Sequence, residues 1–254
     1  GKAFDAEDNG EFNGASDLKI TTPVLGKAFN YIYGGGKVEG ACTATITGDS
    51  KVYVSGISAT RAYAGYDVME TAGTDLTLNG NSTLTIAGGT FDYIRGGVAK
   101  SDGTGGAMTV NGNALTVFTG TAQSIVGDYQ VGKNATFTRE GSTKVIVQGG
   151  TSTKVTGSIV GAGVSFGGTY TLNGDAEIWI GAGGKLQGDI YGGISVGNTG
   201  TAIADSANCT INGNTSIFID STKLPITIGE ASSVTSIFVG SYAKGAVTGT
   251  GTLT

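Results

Sequence analysis

The chain repeats itself. The fragment Leu76-Thr77-Leu78-Asn79-Gly80-Asn81-Ser82-Thr83-Leu84-Thr85-Ile86-Ala87-Gly88-Gly89 has relatives at Met108-Thr109-Val110-Asn111-Gly112, Tyr170-Thr171-Leu172-Asn173-Gly174 and Cys209-Thr210-Ile211-Asn212-Gly213. Weaker copies surround Gly14, Gly48 and Gly141. The seven anchor glycines, at 14, 48, 80, 112, 141, 174 and 213, lie 29 to 39 residues apart. Self-similarity at such a period marks stacked-repeat architectures, because one short unit cannot bury its apolar face alone. Residues 1–254 therefore read as a single repeat domain.

Each copy has three blocks. The first is a strand ending in Asn-Gly, two residues that turn the chain at little steric cost. The second alternates, with apolar residues four and six places after the anchor: Leu18/Ile20, Val52/Val54, Leu84/Ile86, Val145/Val147, Ile178/Ile180 and Ile217/Ile219. The copy after Gly112 reads as one residue shorter, with Leu115/Val117 inward. Such alternation predicts strands with one buried face. The third block is Ile-x-Gly or a variant: Ile32-Tyr33-Gly34, Ile94-Arg95-Gly96, Ile125-Val126-Gly127, Ile159-Val160-Gly161, Ile190-Tyr191-Gly192, Phe238-Val239-Gly240 and the degenerate Tyr63-Ala64-Gly65. A loop of variable length follows, the longest including Gly197 to Asn208.

Three strands per repeat predict an all-β parallel β-solenoid of about seven coils. An antiparallel β-sandwich is the alternative, since Asn-Gly also makes hairpins. Composition agrees with either. Glycine supplies 47 of 254 residues and charged residues only 14%, while strand formers outnumber helix formers. Arg139 breaks the inward pattern where its counterparts are Leu78, Val110, Leu172 and Ile211. Either the register slips there or a bulge turns that side chain outward.

The chemistry available is narrow. Histidine is absent, which excludes Ser-His-Asp and Cys-His catalysis and histidine-containing zinc sites. Two cysteines cannot make an all-cysteine metal site. The only tight acidic cluster is Asp5-Ala6-Glu7-Asp8, which reads as solvated surface rather than a calcium site. Asp49 and Asp175 follow anchor glycines and read as turn residues. Gly103-Thr104-Gly105-Gly106 lacks a P-loop lysine. Arg95, outward in its block with Asp92 nearby, reads as an ordinary surface pair. No cofactor, no metal and no enzymatic activity are expected. The net charge of −5 and scattered lysines argue against nucleic-acid binding. No apolar stretch is long enough for a membrane helix. The opening Gly1-Lys2-Ala3-Phe4-Asp5 lacks a secretion signal, so export would require a signal already removed or outside this sequence.

Outward positions are the more informative. Five places after each anchor stand Lys19, Tyr53, Thr85, Thr116 in the shortened copy, Ile146, Trp179 and Phe218. Trp179 and Phe218 would lie on adjacent coils about 4.8 Å apart. Tyr53, Trp179 and Phe218 are the candidate interaction surface. They are covered by a loop, meet another protein or form a sugar platform. Cys42 and Cys209 fall five coil steps apart, roughly 24 Å, too far for an internal disulfide. They are buried thiols or intermolecular cross-links. The four sequons, at Asn81, Asn134, Asn208 and Asn214, are close to chance in a chain so rich in Ser and Thr.

The Asn-Gly-x-x-x-Ile-x-Ile-x-Gly-Gly and Ile-x-Gly-Gly repeats, from about Phe12 to Val239, resemble the β-strand repeats of secreted and surface-anchored proteins of bacteria and archaea. Autotransporter passengers, β-helical adhesins and some envelope-layer proteins share that style. The resemblance implies an extracellular, cell-surface solenoid. The leading expectation is a structural protein of a prokaryotic envelope that self-assembles into a layer, sheath or fibre, with itself as partner. A surface adhesin binding glycans, host proteins or another envelope protein is the second reading, and a polysaccharide lyase or glycosidase the third.

Overall fold

The computed structural model describes residues 3–4, 10–21, 29–69, 72–98, 105–196, 208–229, 236–241, 245–247 and 250–254. Asp5-Ala6-Glu7-Asp8, Gly103-Thr104 and the loop 197–207 lie outside the described residues. No helix occurs among the described residues. The strands preceding the anchors stack into one eight-stranded sheet in chain order, from Gly10–Asn13 through Asp75–Asn79 and Thr136–Arg139 to Gly245–Val247. Pairing is parallel and one repeat apart: Leu76 sits between Ala44 and Met108. The strands after the anchors form a second wall, from Ser16–Ile20 to Gly251–Leu253. The third blocks form another, and Ser82–Arg95 and Ala114–Val126 run through the bend between the two walls. Short strands such as Lys37–Glu39 and Val164–Ser165 close the turn. The chain is a parallel β-solenoid.

The Asn-Gly corners explain why hairpins do not form. Each corner is completed by its neighbour one turn away. Asn81 N–H donates to Asp49 Oδ1 at 2.8 Å, Asn113 N–H to Asn81 Oδ1 at 2.9 Å and Ser142 N–H to Asn113 Oδ1 at 2.8 Å. Asp175, Asn214 and Thr250 continue the series. Asp49 and Asp175 are thus turn residues that bond the next coil. The anchor glycines themselves stack. A Cβ on Gly48, Gly80, Gly112, Gly141, Gly174 or Gly213 would fall within 3.0 Å of the carbonyl of the preceding anchor. Close backbone approach, not turn geometry alone, requires glycine there.

Two large apolar clusters fill the coil, beside a smaller one of Val126, Val160 and Val164. One joins the first wall to the closing strands around Leu76, Met108, Phe137 and Tyr170. The other joins the second and third walls around Val54, Ile86, Phe118 and Ile178. Each fully buried Ile, Val or Leu contributes roughly 1.5–3 kcal/mol. Glycines of the third block lie close to small residues of the second wall: the Ser82 hydroxyl donates to Gly96 O at 2.8 Å, and a Cβ on Gly34 would strike Val52 and Ser50.

Three readings of the repeat need correction. The copy after Gly112 is not shortened. Thr116 pairs with Leu84 and Phe118 with Ile86, so Thr116 and Phe118 point inward while Leu115 and Val117 stay half-exposed. Two third blocks begin one residue earlier than read: Ala62-Tyr63-Ala64 and Ile237-Phe238-Val239 align with Ile32-Tyr33-Gly34 and Ile190-Tyr191-Gly192. Arg139 neither slips nor bulges. It pairs in register with Val110 and Leu172, and its side chain is fully buried.

Arg139 is accommodated by a partner from the preceding turn. Its Nε and Nη2 donate to the two oxygens of Asp128 at 2.7 and 2.6 Å, and Nη1 donates to Gly112 O. The Tyr170 hydroxyl donates to Asp128 Oδ2 at 2.8 Å. Burial works against the guanidinium's charge, but the Asp128 carboxylate outweighs it and holds the Arg139 pKa above its ordinary value. The Tyr129–Phe137–Tyr170 stack, with ring centroids 4.4 and 5.3 Å apart, belongs to the same cluster.

Candidate functional site

Two surfaces of the coil carry chemistry. The first is the outward face of the second wall. Trp179 and Phe218 pair across adjacent turns, with ring centroids 4.3 Å apart and planes inclined by 39°. Ile146 and Val117 occupy the next two turns of the same row. The corrected register replaces Thr116 by Val117 here, so four successive turns present an apolar stripe. Its flank is charged. Lys144 Nζ lies 3.1 Å from Glu177 Oε1 and 4.8 Å from the Trp179 ring centre, and the indole N–H donates to the same carboxylate. Tyr53 shares the row but lies four turns from Trp179, beside Lys19, whose Nζ is 5.9 Å from its ring centre. The structure therefore joins Trp179 to Phe218 and leaves Tyr53 apart.

The second surface lies outside the third wall. Tyr31, Arg61 and Tyr93 form one row across three turns, and Tyr33, Tyr63 and Arg95 the next. They flank Ile32, Ala62 and Ile94, whose side chains fill the core. Tyr33 stacks on Tyr31 and Tyr63 at 5.8 and 5.2 Å with near-parallel planes. The Arg61 guanidinium lies 5.5 Å from the ring centres of both Tyr31 and Tyr93. Arg95 lies 5.6 Å from the Tyr93 ring centre. Arg95 faces away from the core but is not a surface residue. It is 6% exposed, and its bonds go to Ile94 O at 3.1 Å and Gln130 Oε1 at 3.3 Å rather than to Asp92. Arg61, Tyr63, Tyr93, Arg95, Gln130 and Phe166 line a cleft of about 240 Å³.

Electrostatics distinguish this cleft from the Arg139 pair. Burial pulls the Arg95 pKa down to about 10, with no carboxylate opposing the shift. Burial raises Tyr63, although Arg61 and Arg95 pull the other way. Tyr33, raised by burial, hydrogen-bonds Asp67. No described carboxylate lies within ion-pair distance of Arg61 or Arg95.

Sequence reasoning singled out Arg95 and passed over Arg61, Tyr31, Tyr63 and Tyr93. The signal was the alternation Tyr31-Ile32-Tyr33, Arg61-Ala62-Tyr63 and Tyr93-Ile94-Arg95 in three successive repeats. It holds two of the three arginines and four of the ten tyrosines.

Cys42 and Cys209 are buried thiols outside any disulfide, at 1% and 3% exposure. A cross-link through either would require the residue to leave the core. Burial raises the Cys209 thiol to about 11. Both thiols are expected to resist iodoacetamide for hours at pH 8 and to react at once in guanidinium chloride, as counted by mass spectrometry. The folded form holds the Cys209 proton more tightly. This stabilising term is therefore intact below the unfolded thiol's pKa of about 8.5 and is lost as pH rises to about 11. Among the sequons, Asn81 and Asn214 accept backbone N–H bonds through Oδ1. Asn134 occupies an exposed turn with φ 62°, and Asn208 begins a strand, exposed.

No group of three or more carboxylate, thiol or imidazole side chains arranged to hold a metal occurs among the described residues. Among the described residues no helix is long and apolar enough to cross a membrane. Comparison with family models, curated proteins and solved structures finds no match to this chain.

Proposed function

We propose that the protein is a structural component of a prokaryotic cell surface, a rigid solenoid that associates laterally with further copies of itself into a layer, sheath or fibre. The observation that carries this reading is the apolar stripe of Val117, Ile146, Trp179 and Phe218 on the outward face of the second wall. Contiguous apolar surface of this kind marks an interface. The occupant is a second copy for two reasons. Side-chain rows on both copies recur at the same spacing of about 4.8 Å and so can mesh. The flank of the stripe also carries both signs on adjacent turns, Lys144 beside Ile146 and Glu177 beside Trp179, so an antiparallel copy packed on the same stripe sets Lys144 opposite Glu177 of the second copy.

Trp179→Ala is the test. Large aromatics dominate interface energies, and truncation of a central one costs about 2 kcal/mol or more, roughly thirtyfold in the association constant. Sedimentation equilibrium is expected to show concentration-dependent association of the parent chain and its loss in the variant, with unchanged circular dichroism. A parent chain that stays monomeric at millimolar concentration contradicts the proposal.

A further inference from the structure

The Arg61–Arg95 cleft lies on a different wall from the apolar stripe, and no described carboxylate balances its two charges. Of the three arginines, Arg139 carries its counter-ion, held by two bonds of 2.6 and 2.7 Å. Arg95 is as enclosed as a core residue, yet its hydrogen-bond partners are neutral. Arg61 Nε is buried without a hydrogen bond. A guanidinium removed from water without an anion costs several kcal/mol, and guanidinium geometry suits a two-oxygen acceptor. The enclosed Arg95 and the half-exposed Arg61 approach the same Tyr93 ring at 5.6 and 5.5 Å. They do so in a protein whose net charge is −5.

The cleft's other walls are ring faces. Tyr63, Tyr93 and Phe166 line it, and the Tyr31–Tyr33–Tyr63 stack extends it along the coil, with Tyr31 48% exposed. Flat aromatic faces present an apolar surface beside a polar edge, which suits a sugar ring with its C–H face down. A volume of about 240 Å³ accommodates one ring and not a whole oligomer. We infer that this cleft binds an acidic saccharide, seating one carboxylate- or sulfate-bearing sugar between Arg61 and Arg95 while neighbouring units run over the tyrosine stack.

Isothermal titration calorimetry on the full chain tests this with four probes: a galacturonic acid trisaccharide, a sulfated chondroitin disaccharide, maltotriose and sodium sulfate. One or both acidic saccharides are expected to bind, at least tenfold more tightly than maltotriose and than inorganic sulfate, and more weakly as salt rises. Which of the two binds identifies the anion as carboxylate or sulfate. Arg61→Gln is expected to weaken that binding roughly tenfold or more, since a hydrogen bond to a charged group is lost. Arg61 is half-exposed, so this variant retains the fold, which circular dichroism checks; Tyr93→Ala is the second variant, with the same expected loss. Trp179→Ala is expected to leave saccharide binding unchanged, which separates this site from the association face. Equal binding of maltotriose, inorganic sulfate binding as tightly as the saccharides, no binding by either acidic probe, or affinity untouched in both variants would overturn the inference.

Discussion

Asp128→Ala is expected to destabilise the protein by about 3–5 kcal/mol, measured by denaturant unfolding, because it strands the buried Arg139 guanidinium without its anion. Arg139→Leu is expected to cost a similar amount for the converse reason, leaving the Asp128 carboxylate with Tyr170 as its remaining side-chain donor. The combination Asp128→Ala, Arg139→Leu and Tyr170→Phe is expected to recover most of the loss. Val110 and Leu172, the in-register neighbours of Arg139, show that the ladder accepts an aliphatic side chain there. The pair occupies space that Gly97 leaves open, since a Cβ on Gly97 would meet both Asp128 Oδ1 and Arg139 Nη2. What the pair adds is register: parallel rows of similar aliphatics can slide by a turn, and a buried ion pair fits one alignment. A triple variant as unstable as the single ones would contradict this account.

Gly112→Val is expected to cost about 3 kcal/mol or more, because the new Cβ is driven into the Gly80 carbonyl one turn away. The rungs cannot separate to relieve the clash without breaking ladder bonds on both sides, such as Ser82 N–H to Asn113 O at 2.9 Å. Gly14 supplies the control. It holds the same place in its repeat, but a Cβ there meets nothing within 4 Å. Gly14→Ala is expected to change stability by no more than about 0.5 kcal/mol. If Gly112 and Gly14 respond alike, the cost belongs to turn conformation and not to the stacking of anchors.

The repeat period, the alternation after the anchors and the parallel stack were legible in the residues, because each inward ladder is written in Val, Ile and Leu. The copy after Gly112 misled because Ala114-Leu115-Thr116-Val117-Phe118 is apolar on both faces, so alternation alone cannot choose between them. The anchor spacing does choose, and it places Thr116 inward. Arg139 was unreadable for another reason. Its partner Asp128 is 11 residues upstream in a loop, not one repeat away, so no comparison between copies brings them together. The Arg61–Tyr93–Arg95 cleft was hidden by one misaligned residue. Reading Tyr63-Ala64-Gly65 as the third block moves Arg61 out of line with Tyr31 and Tyr93, whereas the observed alignment on Ala62 restores the row. Trp179 and Phe218 needed only the strand period, and the structure places their rings in contact.

Lateral self-association is the central functional claim, and electron microscopy of the concentrated protein tests it most directly. The parent chain is expected to form ordered sheets, tubes or bundled filaments, unchanged by reductant because both thiols lie in the core, and to lose that order in Trp179→Ala. Isolated rods at every concentration, with or without reductant, would contradict it.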